Sequence, residues 1–350
     1  MPSEIAELAG VFDKLRAAVH QRIVGQQAIV EEILTAILSE GHCLIIGVPG
    51  LGKTLIVSTI AELLSLQFKR IQFTPDLMPS DITGATIISE GGESRERGFQ
   101  FLKGPIFANV VLADEINRTP PKTQAALMEA MEERQVTAGG HRHALDRPFF
   151  VLATQNPIEL EGTYPLPVSQ TDRFLFNCLI DYPESQEEFR LLQLTTSSYR
   201  ADLSPLVDRE ALLRAIAAAR KIDISDRLID YASRIVRASR PGDPSAPGFI
   251  KEWLAWGGGP RTVQSLIVGS KSHALLRGSP KVEPEDIHRI LAPTLRHRLI
   301  LSYHAEAEGI EPDFVVRRLL ESMPDGLYRP PAPVEPRKGL VARWRARAAR

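Results

Sequence analysis

The sequence predicts an α/β protein: a parallel five-stranded sheet with helices on both faces, carrying two β-hairpins and followed by an all-α domain. Three observations predict it. Between residues 42 and 180, apolar runs of strand length alternate with stretches of helical length, the order a parallel sheet requires. The first such run ends in Gly47-Val48-Pro49-Gly50-Leu51-Gly52-Lys53-Thr54, a G-x-x-x-x-G-K-[ST] loop set between a strand and a helix. Beyond Tyr182-Pro183 strand-like runs disappear, and helical spacing holds to about Glu321.

Composition agrees with that class. A chain of 350 residues is long enough for about two domains, and 43% hydrophobic with 24% charged residues is ordinary for a soluble globular protein. Cys43 and Cys178 both lie in apolar runs, with no Cys or His at metal-ligand spacing, so they read as core residues of a reducing compartment. No signal-peptide pattern opens the sequence. No apolar run reaches the ~18 residues of a membrane span, and the expected location is the cytoplasm. The net charge of −1 is uneven. Six basic residues and no acid follow Pro336, leaving −7 on the body, a poor sign for binding nucleic acid.

Each element follows from its own pattern. Ile5, Leu8, Val11, Leu15 and Val19 share one face of a first helix. A second helix is expected from Gln27 to about Ser39, after the turn Ile23-Val24-Gly25-Gln26. Strands are expected at 42–46, 69–73, 109–113, 149–153 and 176–180. Ala85–Ile88 and Gly98–Leu102 flank Glu90-Gly91-Gly92-Glu93 and predict one hairpin, and Gln135–Arg142 predicts another. Later helices are expected at 186–195, 208–220, 225–239, 261–277 and 284–292, with Pro/Gly-rich loops at 241–248 and 257–260. Pro330-Pro331-Ala332-Pro333 and the basic end are expected to lack fixed structure.

The chemistry-bearing residues cluster on these elements. In the Gly-rich loop the backbone N–H groups turn inward around phosphates, helped by the positive end of the following helix. Lys53 then offers a charge to a γ-phosphate, and the Thr54 hydroxyl a ligand to Mg²⁺. Asn109–Glu115 is an apolar strand ending in two acids, and a parallel strand's C-terminal end faces the ligand crevice. Asp114 is placed to hold Mg²⁺, directly or through water, and Glu115 to orient and deprotonate an attacking water. Phe149–Pro157 is a similar strand whose polar end brings Asn156 toward that water or the γ-phosphate. Asp172-Arg173 reads as a surface ion pair, as an arginine on a phosphate of its own subunit or, more sharply, as an arginine presented to a neighbouring subunit's γ-phosphate. Arg261 opens a helix, where it opposes the helix dipole unless an anion partners it. A triphosphate across the interdomain cleft is the expected partner.

On these residues the chain resembles a MoxR-type AAA+ ATPase over roughly residues 5–325. The matching motifs are GVPGLGKT, DITGA, FLKGPIFANVVLADEINRTPPKTQAALMEAMEERQVT, ATQNPIELEGTYPLP and DRF. The resemblance implies a P-loop AAA+ core (1–183) with a helix-2 hairpin insert and a pre-sensor-1 hairpin, an all-α lid (184–325) and a tail (326–350). It makes Lys53 and Thr54 Walker A, with Val48, Pro49, Gly50, Leu51, Gly52 and Leu55 around the phosphates. Asp114 and Glu115 become Walker B, Asn156 sensor 1, Arg173 the arginine finger and Arg261 sensor 2, while Val24, Gly25 and Gln26 fall where adenine lies. It further implies ATP and Mg²⁺, a ring usually of six subunits with ATP at the interfaces, and a chaperone that remodels, matures or activates a client complex. A partner bearing a von Willebrand factor A domain with a metal-ion-dependent adhesion site is implied in the same way. Two departures from the family pattern stand out. Val168-Ser169-Gln170 stands where E-A-Q is frequent, and Ile46 stands where an acid is frequent. Two readings from other classes are a nucleotide-gated scaffold with little turnover and a nucleic-acid-handling motor.

Overall fold

The computed structural model describes residues 2–90, 97–159, 162–196, 201–324 and 326–327. Two helices open the chain, α1 (Pro2–Arg22) and α2 (Gln27–Leu38). The expected apolar face of α1 is inward: Ile5, Leu15 and Val19 are buried, joined by Phe12, and Leu8 and Val11 are partly buried beside them. The sheet then forms from β1 (Cys43–Ile46), β2 (Phe68–Gln72), β5 (Val110–Asp114), β8 (Phe150–Gln155) and β9 (Phe176–Leu179), each within two residues of its expected position. Both hairpins are present, β3 (Gly84–Glu90) with β4 (Arg97–Lys103), and β6 (Gln135–Ala138) with β7 (His141–Ala144).

The five strands are parallel, in the order β2-β5-β8-β1-β9. Alternate residues of each inner strand enter different cores, which is why these strands read as unbroken apolar runs. Cys43, Ile45, Leu112, Leu152, Phe176 and Cys178 face α1, α2, α3 (Lys53–Leu63) and the later helices. Leu44, Val111, Ala113, Val151 and Ala153 face the side that holds α4 (Pro79–Thr83) and α5 (Pro121–Glu133). The two hairpins touch, Phe101 of β4 stacking on His143 of β7 with centroids 4.0 Å apart.

After β9, preceded by the short α6 (Val168–Thr171), come α7 (Ser185–Thr195), α8 (Arg209–Lys221), α9 (Asp226–Ala238), α10 (Gly248–Trp253), α11 (Pro260–Leu276) and α12 (Pro284–Leu295). Asp208 and Ser225 cap α8 and α9 by accepting from Ala211 N and Leu228 N. The helical region also holds a small antiparallel pair, β10 (Leu254–Trp256) with β11 (Ile300–Leu301), too short to leave a period-two pattern in the sequence. The last helices are α13 (Tyr303–Ala307) and α14 (Pro312–Glu321). Helix α11 packs on α1 and α2 as well as on α8, α9 and α12, so the helical region and the amino-terminal helices share one hydrophobic core. The Pro-rich and basic stretch expected to lack fixed structure lies outside the described residues, as does the centre of the first hairpin's turn. Among the described residues, no helix is long and apolar enough to cross a membrane.

Candidate active site

Three adjacent strands end where the sequence placed its chemistry. From β1 the chain enters the Gly-rich loop, where Gly50 (φ 85°) and Gly52 (φ 74°) take the left-handed conformation that side chains disfavour. Gly52 caps α3 without a side-chain acceptor, so the helix's first N–H groups are left to an incoming anion. Lys53 Nζ donates to the Gly47 carbonyl at 2.6 Å, folded back over its own loop. Burial pulls the Lys53 ammonium below the ordinary lysine range, while Asp114, Glu115 and Glu159 favour its charge. Lys53 therefore sits in the field of both acids at the end of β5. Thr54 follows it on the first turn of α3.

Asp114 is 9% exposed and both its oxygens are engaged. Oδ2 accepts from Arg70 Nε (3.0 Å) and Nη2 (2.6 Å), and Oδ1 from Thr154 Oγ1 (2.5 Å). Glu115 has φ 58°, an uncommon conformation for a non-glycine residue, and its N–H donates to Thr154 Oγ1 at 2.9 Å. Its carboxylate accepts from Gln72 Nε2 at 2.8 Å and lies 3.3 Å from Arg118 Nε. Asn156, just past β8, is 4% exposed; its Oδ1 accepts from Ile158 N, whereas its buried Nδ2 has no partner among the described residues. A buried amide left open in this way fits a phosphate or water oxygen. The residues also fit Mg²⁺. Thr54 and Asp114 would hold the ion, Asp114 directly or through water, since its Oδ1 accepts a single hydrogen bond, from Thr154.

The Val24-Gly25-Gln26 turn lies beside the loop's entry. Gln26 Nε2 donates to Asp181 O at 2.9 Å, and the preceding Ile180 bonds to Ile46 just before Gly47. Val24, Gly25 and Gln26 are half-buried.

Arg173 and Arg261 are brought together, but not with Lys53. Arg173 precedes β9 at the other end of the sheet, where Leu175 N bonds to His42 O. From His42 to Gly47 the chain runs five residues along β1, about 17 Å, farther than an arginine side chain reaches. Arg173 Nη1 donates to Met128 O (2.9 Å) and pairs with Glu132 Oε2 (2.9 Å). Arg261 pairs with Glu132 Oε1 (3.3 Å) and Asp172 Oδ2 (3.6 Å). Both arginines line a cavity of about 250 Å³ with His42, Asp172, Arg220 and Arg298. The anionic partner that the helix start demanded of Arg261 is here supplied by Glu132 and Asp172.

Sequence reasoning missed Arg70, Gln72, Thr154 and Glu132. The first two had a signal: two polar residues at alternate positions of a strand, on the face that carries Asp114 of β5, to which β2 is paired. Thr154 stood in the polar run that was read for Asn156 alone, and nothing local marked Glu132.

A sequence profile of the ATPase family associated with various cellular activities (AAA) matches residues 42–176, and one of the AAA lid domain matches residues 250–319. The chain is 43% identical to the Chaperone MoxR1 of Mycobacterium tuberculosis, over 86% of this chain and 78% of that one. It is 41% identical to the uncharacterized protein YeaC of Bacillus subtilis, covering 91% and 95% of the two chains. A solved structure from Cytophaga hutchinsonii, provisionally named an ATPase, superposes with a TM-score of 0.85 at 36% identity over 92% of this chain and 96% of that one.

Proposed function

The chain belongs to the MoxR family of AAA+ ATPases, and from that premise we propose that it hydrolyses Mg-ATP at sites shared between the subunits of a ring, using the cycle to remodel a client complex. In this reading residues 1–183 form the nucleotide-binding core and 184–325 the lid. Val24, Gly25 and Gln26 receive the adenine, and the loop from Val48 to Leu55 receives the phosphates. Lys53 is drawn off the Gly47 carbonyl onto the γ-phosphate, which an ammonium in a partly buried site prefers to a neutral acceptor. Thr54 and Asp114 hold Mg²⁺, which when bound offsets charge on the β- and γ-oxygens. Glu115 takes a proton from the attacking water, and Asn156 Nδ2 donates to that water or to the phosphate.

One observation carries the shared site: Arg173 and Arg261 lie at the far end of β1 from Lys53. A ring in which the N-terminal strand ends of one subunit face the phosphate loop of the next would use both arginines on the neighbour's γ-phosphate. They would exchange Glu132 and Asp172 for it. The paired hairpins, with Ile87 and Leu102 exposed, are the surface offered to a client. A partner with a von Willebrand factor A domain and a cytoplasmic location complete the proposal on the strength of family membership alone.

The test is Mg-ATP turnover at rising protein concentration, beside Glu115→Gln and Arg173→Ala. Specific activity is expected to climb with concentration, and both variants to lose it, Arg173→Ala by about 1,000-fold. Turnover that is flat with concentration and indifferent to Arg173 would instead describe a self-contained switch, and negligible turnover of the wild type a nucleotide-gated scaffold.

A further inference from the structure

Resting on the shared-site reading, we infer that Arg298 is a positioning residue: its buried guanidinium, carried by the lid, sets the backbone from which Arg173 reaches a neighbour's phosphate. Arg298 is 4% exposed and most of its hydrogen bonds go to one short segment. Nε donates to Asp172 Oδ1 at 2.7 Å. Nη2 donates to the carbonyls of Phe174 (2.8 Å) and Asp172 (3.2 Å) and to Ser265 Oγ (3.4 Å). Nη1 donates to the carbonyls of Thr294 and Leu175 (3.3 Å). Residue 173 is thereby bracketed, its neighbours on both sides bonded to the same planar fork.

The rest of the turn reinforces the bracket. His297 Nε2 donates to Phe174 O at 3.2 Å. Arg296 donates to Asn177 O at 2.7 Å while its fork is held by Asp313 of α14. Three consecutive lid residues thus grip the chain from Asp172 to Asn177. Burial of a charged fork is tolerable because its donors are matched, and that matching fixes one orientation. The Arg173 side chain is held differently. It is half-buried, on one carbonyl and one carboxylate that a phosphate can replace.

The consequence is mechanical. The base of Arg173 is bonded to the lid through Arg298 and to the core sheet through the Leu175–His42 hydrogen bond, whereas its tip is free to exchange partners. Any change in the angle between lid and core therefore moves Arg173 relative to the neighbouring phosphate loop. Asp172 links the two arginines of the lid to this segment, taking Arg298 on Oδ1 and Arg261 on Oδ2.

The experiment uses the full chain with Arg298→Lys, which keeps the charge but loses the fork. Turnover at saturating protein and ATP is expected to fall by about 100-fold, the cost of misplacing a reacting group by roughly an ångström, with KM for ATP unchanged. Mixing Arg298→Lys subunits with Glu115→Gln subunits is then expected to restore turnover, because each supplies what the other lacks: an intact phosphate loop and a correctly placed Arg173. Mixing Arg173→Ala with Glu115→Gln is the control. If that control recovers and the Arg298→Lys mixture does not, Arg298 serves its own site or only the fold, and the inference is overturned. Wild-type turnover in Arg298→Lys overturns it equally. If the control itself fails to recover, the shared-site reading falls, and the inference with it.

Discussion

At the C-terminal ends of the strands, Lys53 rests on a backbone carbonyl, Asn156 keeps an unpartnered buried amide, and α3 begins without a side-chain cap. At the opposite ends, Arg298, Asp172, Arg261, Glu132 and Arg173 form an unbroken alternation of charge. The first region accepts an anion with little rearrangement, since Lys53 exchanges a neutral acceptor for an anionic one. The second accepts one only by giving up carboxylates it already holds. In the proposed shared site, selection between an assembled and an unassembled state would therefore belong at the arginine end, and tight nucleotide binding at the loop end.

The largest effect that tests this contrast is Lys53→Ala. Turnover should vanish, and Mg-ATP affinity should fall by about 1.5–3 kcal/mol, the scale of a hydrogen bond to a charged group. Titration of a fluorescent ATP analogue reads it. Affinity that survives the substitution would mean that the loop end is not where the phosphates bind, and the contrast between the ends would dissolve.

A smaller effect sharpens the other side. Glu132 engages both Arg173 and Arg261, yet its carboxylate is 44% exposed, so these pairs stand at the weak end, at most about 1 kcal/mol. Glu132→Gln should lower by a few-fold the protein concentration that gives half-maximal turnover, because the neighbour's phosphate no longer competes with a carboxylate. A loss of turnover resembling that of Arg173→Ala would show instead that Glu132 aims the arginine, and that this end is preorganised like the other.

How much of this was legible in the sequence follows the same divide. Lys53, Thr54, Asp114 and Glu115 were readable because strand, turn and helix are contiguous there, and an apolar run ending in acids fixes which end of the sheet they occupy. The partners that hold them were not. Arg70 reaches Asp114 across 44 positions and Arg298 reaches Asp172 across 126, separations over which no local pattern survives. Arg261 shows the limit most clearly. Its place at a helix start announced a need for an anion, but the angle at which α11 docks decides which anion, and that angle comes from packing against α1 and α2. The pair β10-β11 escaped because two or three residues carry no periodicity.

Between the two ends, the lid is fastened to α2 by a buried histidine, and the smallest predicted effect concerns it. His273 on α11 meets Asp286 Oδ1 of α12 through Nδ1 at 2.7 Å and Glu31 Oε1 of α2 through Nε2 at 3.1 Å. Arg277 and Arg289 share the same acids, and Glu283 pairs with Arg277. Burial opposes charge on His273, but Asp286 and Glu31 outweigh it and hold its pKa above the ordinary value of 6.5. A group raised in the folded state contributes its full stability below its unfolded pKa and loses it as pH climbs through the raised one. Glu31, drawn down to about 2, chiefly by its bond to His273, keeps its contribution throughout that range. His42 pulls the other way, since burial lowers it to about 4 and its contribution fades as pH falls from 6.5. Comparing wild type with His273→Gln cancels His42. The melting-temperature gap should be about 2–4 °C below pH ~6.5 and should close as pH climbs through the raised His273 value. A gap that is constant with pH would mean that His273 is held neutral, and that the lid is fastened to α2 by packing rather than by charge.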